Sequence, residues 1–446
     1  MHMPGHKRRS FNDELPYSLD ITEIDGFDNL HNRKGIIKEL TDRMAALRSA
    51  KEAFLLTGGS TLGILAGVYA LTSPGDKALV ARNCHKSVYH ACEIRGIETV
   101  YIYPEEDEYG IFDSISPDEI EKALCVEPGI SLVVITSPTY EGIISNIAEI
   151  SDTVRKHGAR LLVDAAHGAH LGYSDKFPAD ALSQGADISV ESLHKTLPAL
   201  TQTAAMYISD RVNPADIEYA LDIFETSSPS YILMASADVC VGLIEKEASY
   251  LFDEYSDSLE RFTKSTEDLQ YLKPLKFKNC YGHDKGKIII PCKNTGMSGA
   301  QLSETLRKRY GIETEMSAPL YVICMTGLAD TDISLGRLSD ALHKIEETLS
   351  ESENVSFTVK YPKAKAAMSI SGAIHSPGEY IPFENAQGRI SRQYIMAYPP
   401  GIPAAVPGEI IPKEVIEYIN LLKSRNCAVE IPGEYGNDKI SVIKDN

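Results

Sequence analysis

Val190-Glu191-Ser192-Leu193-His194-Lys195-Thr196 is the stretch that decides how this chain is read. An apolar run, Asp187–Glu191, ends where serine, histidine and lysine follow at once. A lysine at a strand end, flanked by Ser192 and His194, can form a Schiff base if its pKa is lowered. A lone lysine is ordinarily solvated surface, so the reading depends on its neighbours. Upstream stands Leu162-Val163-Asp164-Ala165-Ala166-His167-Gly168. A carboxylate that closes a buried strand is costly unless paired. One use for Asp164 is to hold a proton on a ring nitrogen; a helix cap or structural ion pair is the ordinary alternative.

Outward from these two stretches, short apolar runs alternate with helical text. Ala53–Leu56, Lys77–Ala81, Ser131–Thr136, Arg160–Asp164, Asp187–Glu191 and Ala204–Ser209 are expected strands. Ser60–Leu71, Ser87–Arg95 and Ile147–His157 are expected helices. Runs such as Leu132–Ile135 do not alternate, as in a sheet covered on both faces. This order predicts an α/β fold with a doubly wound, mostly parallel sheet. Ligands bind such sheets at the carboxyl edge of the strands.

The chain has 446 residues, enough for two or three units of ~100–200 residues. Residues 1–25 are polar and read as an arm, and 26–250 as a large domain. Residues 251–360 read as a smaller α+β domain, beginning with charged helical text at Glu254–Leu272. Residues 361–446 are Pro- and Gly-rich, with a closing helix near Pro412–Ser424. Lys and Arg number 44 against 63 Asp and Glu, a net charge of −19. That argues against nucleic acid or an anionic membrane as a partner, since both recruit basic faces. The ordinary meaning of the acidity is solubility; the sharper one is a field that gathers cationic substrates. No run approaches the ~20 apolar residues of a membrane span, and Met1–Arg9 is not followed by a secretory apolar region. The eight cysteines form no CxxC pair, so a reduced, cytoplasmic compartment is expected.

Three further clusters lie at expected strand ends. Thr57-Gly58-Gly59-Ser60-Thr61 offers small residues, hydroxyls and a helix start, which together make a phosphate cup. Alone it is also an ordinary N-cap with a tight turn. In Arg82-Asn83-Cys84-His85-Lys86-Ser87, His85 can lie flat against an aromatic ligand, or simply be satisfied by backbone. Ser137-Pro138-Thr139-Tyr140-Glu141-Gly142 reads first as a turn. Taken together, a phosphate cup, a stacking imidazole, a ring-nitrogen carboxylate and a Schiff-base lysine are what pyridoxal 5'-phosphate needs. Ser192 is placed to add a phosphate contact.

These stretches resemble the fold-type I pyridoxal-phosphate decarboxylases of ornithine, lysine and arginine, in their short form without the receiver-like N-terminal wing. The resemblance also takes in Met3-Pro4-Gly5-His6-Lys7, where the chain begins, and Thr226-Ser227-Ser228-Pro229. It continues through Gly388-Arg389-Ile390-Ser391, Tyr398-Pro399-Pro400-Gly401-Ile402-Pro403 and Pro407-Gly408-Glu409. It implies an aspartate aminotransferase-like large domain with smaller α+β C-terminal domains. It implies that Lys195 carries the cofactor, Asp164 partners its ring nitrogen and His85 stacks on its ring. Gly59, Ser60, Thr61 and Ser192 would hold the phosphate, and His167 would stand beside the cofactor, where some members have Trp. His194 would lie near the reacting carbon. Ser227 would reach the phosphate of a neighbouring subunit, which implies a homodimer or higher homo-oligomer with shared sites. Glu409 is a candidate acidic partner for a cationic substrate side chain, or a cap of the closing helix.

The implied reaction is decarboxylation of arginine, lysine or ornithine to agmatine, cadaverine or putrescine and CO2. Two other readings stay open. One is another reaction of the same cofactor, such as transamination, with Arg337, Arg389 or Arg392 binding the substrate carboxylate. The other is a pyridoxal-phosphate-binding protein without catalysis.

Overall fold

β-Branched and leucine-rich runs that are apolar on both faces can only sit inside a covered sheet, and here they do. The computed structural model describes residues 2–277, 280–349 and 359–444. The large domain begins with α1 (Ile36–Leu47), β1 (Glu52–Leu56), α2 (Gly59–Leu71), β2 (Lys77–Ala81), α3 (Lys86–Arg95) and β3 (Glu98–Ile102). It continues with α4 (Pro117–Val126), β4 (Ile130–Thr136), the short β5 (Ile143–Ile144), α5 (Ile147–Lys156) and β6 (Arg160–Asp164). Then come β7 (Ile188–Glu191), the single turn α6 (Leu193–Thr196), β8 (Ala204–Ile208), α7 (Pro214–Phe224) and α8 (Tyr231–Ser265).

Seven of these strands form one sheet in the order β1-β8-β7-β6-β4-β2-β3. β8 is antiparallel to both neighbours. The other adjacent pairs are parallel. β1, β2, β4, β6 and β7 therefore point the same way, and their carboxyl ends share one edge. The faces are filled alternately. Phe54 and Leu56 of β1 pack with Ile64 and Val68 of α2, while Ala53 and Leu55 pack with Leu40 and Met44 of α1 and with α8. Gly63 lets α2 lie close on the sheet: a Cβ there would come within 2.7 Å of Leu56 and Val190 side-chain carbons.

The small domain holds a three-stranded antiparallel sheet, with β9 (Gly282–His283) paired apart from it to β5. The sheet is built from β10 (Lys287–Pro291), β11 (Met316–Ser317) and β12 (Tyr321–Met325). Helices α9 (Gly299–Tyr310) and α10 (Asp332–Glu346) complete the domain. Residues 359–444 form small sheets and the helix Lys413–Ser424 around Phe383, Ile395, Val415, Ile419 and Val442.

The expected division at residue 250 falls inside α8, a continuous helix of 35 residues. Its first half is apolar on more than one face, so it carries no clear amphipathic signal. The charged Glu254–Leu272 text is only its second half, and the helix stops at Ser265. The expected junction near 360 adjoins residues 350–358, which lie outside the described residues. β3, an edge strand reading Glu-Thr-Val-Tyr-Ile, has too little apolar contrast to stand out. Among the described residues no helix is long and apolar enough to cross a membrane.

One buried ion pair braces the face of the sheet opposite α2. Arg48, just past α1, bonds Glu191 Oε2 at 2.7 Å and the carbonyls of Ala169 and Leu171. It thereby ties β7 to the loop that carries His167. Burial pushes the Glu191 carboxyl up to about 7, against the pull of Arg48. An Arg48→Met variant should lose about 3–5 kcal/mol, the cost of stranding a buried charge. The loss should grow as pH rises above 7: a carboxyl with a raised folded pKa favours the fold while protonated and is penalised once ionised. Urea unfolding at pH 5 and pH 8 measures it.

Candidate active site

A cavity of about 430 Å3 opens where the strand ends meet. β1 leads into Gly59, whose φ of +74° is a left-handed conformation that favours glycine. α2 then starts with no side-chain cap. The N–H groups of its first turn, with Ser60 and Thr61, are left for an anion. Ser192, directly after β7, is fully buried and its Oγ has no hydrogen-bond partner. A buried, unsatisfied hydroxyl on a cavity wall calls for a ligand. Gly59, Ser60, Thr61 and Ser192 line the same cavity.

Asp164 ends β6, in register with Thr136 and Val190 on the flanking strands. It is buried, and one oxygen accepts the Ala166 N–H at 3.2 Å. Burial pushes its carboxyl up while the Lys195 charge draws it down. His85 is the N-cap of α3. Its Nδ1 accepts the Ser87 N–H at 3.2 Å, so the ring proton sits on Nε2. Burial, with Lys195 and Lys86 nearby, pushes this imidazole down to about 4, and the ring is neutral. Gly401 of the C-terminal unit packs on it: a Cβ there would lie 3.0 Å from His85 Cδ2.

Lys195 and His194 stand on α6. Burial lowers the Lys195 pKa, opposed by Asp164 and Glu315. Its Nζ lies 3.0 Å from His167 Nε2. His194 Nδ1 donates to the Thr203 carbonyl at 2.8 Å, which leaves Nε2 as an acceptor. His167 is buried, with the Tyr140 ring edge-on at 4.7 Å and Lys287 Nζ 3.0 Å from Nδ1.

The structure thus gathers Lys195, His194, Asp164, His85, His167, Gly59, Ser60, Thr61 and Ser192 around one cavity. Two expected residues lie elsewhere. Glu409 does not line it: its carboxylate bonds Arg82 at 3.0 Å in a fully buried pair and accepts the Val406 N–H. The cation it was expected to meet in a substrate is supplied by the chain itself. Nor does it cap the closing helix, whose N-cap is Pro412. Ser227 is exposed on the segment between α7 and α8, outside the cavity.

Three charged residues were not expected. Glu141 and Glu315 line the cavity, and Lys287 lies behind His167. Glu141 accepts the Tyr321 hydroxyl at 3.0 Å, while its Oε2 is buried without a partner. Glu315 accepts the Tyr140 hydroxyl at 2.5 Å. Glu141 sits in a stretch that reads as a turn, and the other two come from the small domain. Only their arrival at the distant cavity distinguishes them.

An uncapped helix start, an orphaned serine hydroxyl, a neutral flat imidazole, a buried carboxylate and a desolvated lysine fit pyridoxal phosphate group by group. Fold and site together define a fold-type I pyridoxal-phosphate enzyme. Comparison with known proteins narrows this. Residues 5–265 match the family model "Orn/Lys/Arg decarboxylase, major domain" and residues 351–435 its C-terminal domain. The chain belongs to the Orn/Lys/Arg decarboxylase family and is a pyridoxal-phosphate-dependent amino-acid decarboxylase.

It is 32% identical over 462 residues to an arginine decarboxylase of Bacillus anthracis, covering 100% of this chain and 94% of that one. It is 21% identical to the inducible lysine decarboxylase of Escherichia coli K12, covering 91% of this chain and 70% of that one. In fold it is similar to the Francisella novicida lysine decarboxylase LdcF, with TM-score 0.85 over 100% of this chain and 79% of that one, at 19% identity. A pyridoxamine-pyruvate aminotransferase of Mesorhizobium loti shares the fold with TM-score 0.57, covering 70% of this chain and 85% of that one.

Asp164→Asn should still bind the cofactor but lose turnover by about 10²–10³-fold, the usual cost of removing one preorganised charge contact. Steady-state kinetics of the reconstituted variant measures it, and wild-type turnover would contradict the role of Asp164.

Proposed function

We propose that the protein decarboxylates a basic L-amino acid, arginine first, giving agmatine and CO2. The observation that carries this reading is the pair of carboxylates, Glu141 and Glu315, on the wall of the cavity that holds Lys195. A substrate engaged at Lys195 through its α-amino group would find them available to its cationic side chain. The full-length similarity to proteins named arginine decarboxylase supports the same choice.

Pyridoxal phosphate, when bound, supplies the sink for the electrons left on the substrate as CO2 departs. The chain supplies the rest. Lys195 is the point of attachment, and Asp164 holds the ring-nitrogen proton that makes the sink effective. His85 offers a neutral flat face. The Lys195 ammonium, or His194 once its Nε2 has taken up a proton, would return a proton to the substrate carbon.

Transamination is the weaker reading because the arginines it would need are engaged elsewhere. Arg337 is exposed and donates to the Tyr310 carbonyl. Arg389 pairs with Glu379, and Arg392 donates to the Ala373 and Ile374 carbonyls. Among the described residues no arginine lines the cavity. The same reading assigns the exposed Ser227 to the cofactor phosphate of a second copy, which makes a homodimer the working unit.

Reconstituted protein offered arginine, lysine and ornithine should release CO2 and amine without any keto acid, fastest with arginine. A keto-acid requirement with no CO2 would point to transamination. Glu315→Gln should raise KM for the preferred substrate about tenfold, the equivalent of about 1.4 kcal/mol, with a smaller change in kcat. An unchanged KM would remove Glu315 from substrate binding.

A further inference from the structure

Lys195 Nζ and Lys287 Nζ lie on opposite sides of one imidazole, each 3.0 Å from a ring nitrogen of His167. A neutral imidazole has one N–H and one acceptor nitrogen, and an ammonium only donates. Two ammonium groups therefore cannot both bond this ring. Protonating the ring removes its last acceptor, and burial between two cations pushes its pKa far down. One lysine must be the neutral amine that accepts the ring N–H. The pair then carries at most one positive charge.

Both ends of this bridge can hold that charge. Lys195 faces Asp164 and Glu315, with His85 on the cavity side. Lys287 is the first residue of β10, is 2% exposed, and faces Asp284, Glu141 and Glu315. Burial brings Lys287 down to about 8, so its amine is within reach of both protonation states. Asp284 stays ionised, bonded by His170 Nε2 at 3.2 Å and the Gly286 N–H, while its Oδ2 is buried with no partner. Tyr140 and His170 are the other polar rings near His167. A proton that reaches Lys287 thus meets a standing counter-charge beside an almost fully buried amine.

We propose that His167 passes one proton between the two lysines, so that Lys287 takes up the charge Lys195 must shed before its amine can attack a carbonyl. The Lys195 ammonium gives a proton to Nε2 while Nδ1–H passes to the Lys287 amine. One N–H bond breaks and one forms at the ring, the imidazole changes tautomer, and the total charge is unchanged. No proton is exchanged with solvent. Lys287 is in this sense a positioning residue acting through His167. The proposal rests on Lys195 being the cofactor lysine.

The test uses cofactor-free protein. Labelling of Lys195 by an amine-selective reagent is followed against pH by peptide mass spectrometry. Capture of added pyridoxal phosphate is followed in parallel by absorbance. Lys287→Met and His167→Phe should each raise the labelling midpoint by about one pH unit, which slows capture about tenfold near neutral pH. The double variant should be no slower than either single one, as for residues acting in series. His167→Gln can bond both lysines but cannot change tautomer, and should behave as His167→Phe. A shift in Lys287→Met alone would mean that through-space charge suffices, and would overturn the relay. Wild-type behaviour of His167→Gln would do the same. Covalent capture by Lys195→Ala would instead overturn the reading of Lys195 itself.

Discussion

Asp164 and Lys195 hold a carboxylate and an amine largely out of water, at the ends of two neighbouring parallel strands, and the rest of the structure depends on keeping them so. Either charge alone would be costly there. Their attraction offsets part of that cost, and burial shifts each pKa toward neutrality: the carboxyl up, the amine down. The sheet meets this constraint. Parallel β6 and β7 bring both loops to one edge, and the Arg48–Glu191 pair fixes those loops from the other face.

The site is completed from outside the large domain. The small domain sends Glu315 to the cavity and Lys287 to the far side of His167. The C-terminal unit presses Gly401 on His85 and brings Tyr398, Pro399, Pro400 and Ile402 to the wall. The buried Arg82–Glu409 pair holds that unit to the end of β2, with Arg82 also bonded to the Pro403 carbonyl at 2.6 Å. Glu409 therefore shapes the cavity without touching what enters it.

Much of this is legible in the sequence because the large domain is built from local signals. The strands ending at Leu56, Ala81, Thr136, Asp164 and Glu191 end where the apolar runs end, and the residues that follow each of them carry the chemistry. That β8 runs antiparallel is not legible, since its apolar run reads the same in either direction. The start of α8 is hidden because apolar residues such as Leu233 and Val239 also stand off the one buried stripe, Tyr231, Met234, Ala237, Val241 and Ile244, and blur its period. Glu315 and Lys287 are hidden for a different reason. A charged residue in a small-domain strand or loop looks like solvated surface until tertiary packing carries it to a cavity formed by residues far away in the chain. Glu409 shows the converse: an acidic residue in a suggestive motif finds its cation inside the protein.

The central claim is that the ε-amino group of Lys195 is where the cofactor is joined to the chain. Protein loaded with pyridoxal phosphate, reduced with borohydride and digested, reports this directly. The account predicts a phosphopyridoxyl mass on the peptide containing Lys195 and on no other. A stable adduct on Lys287 or a surface lysine, with Lys195 unmodified, would contradict it.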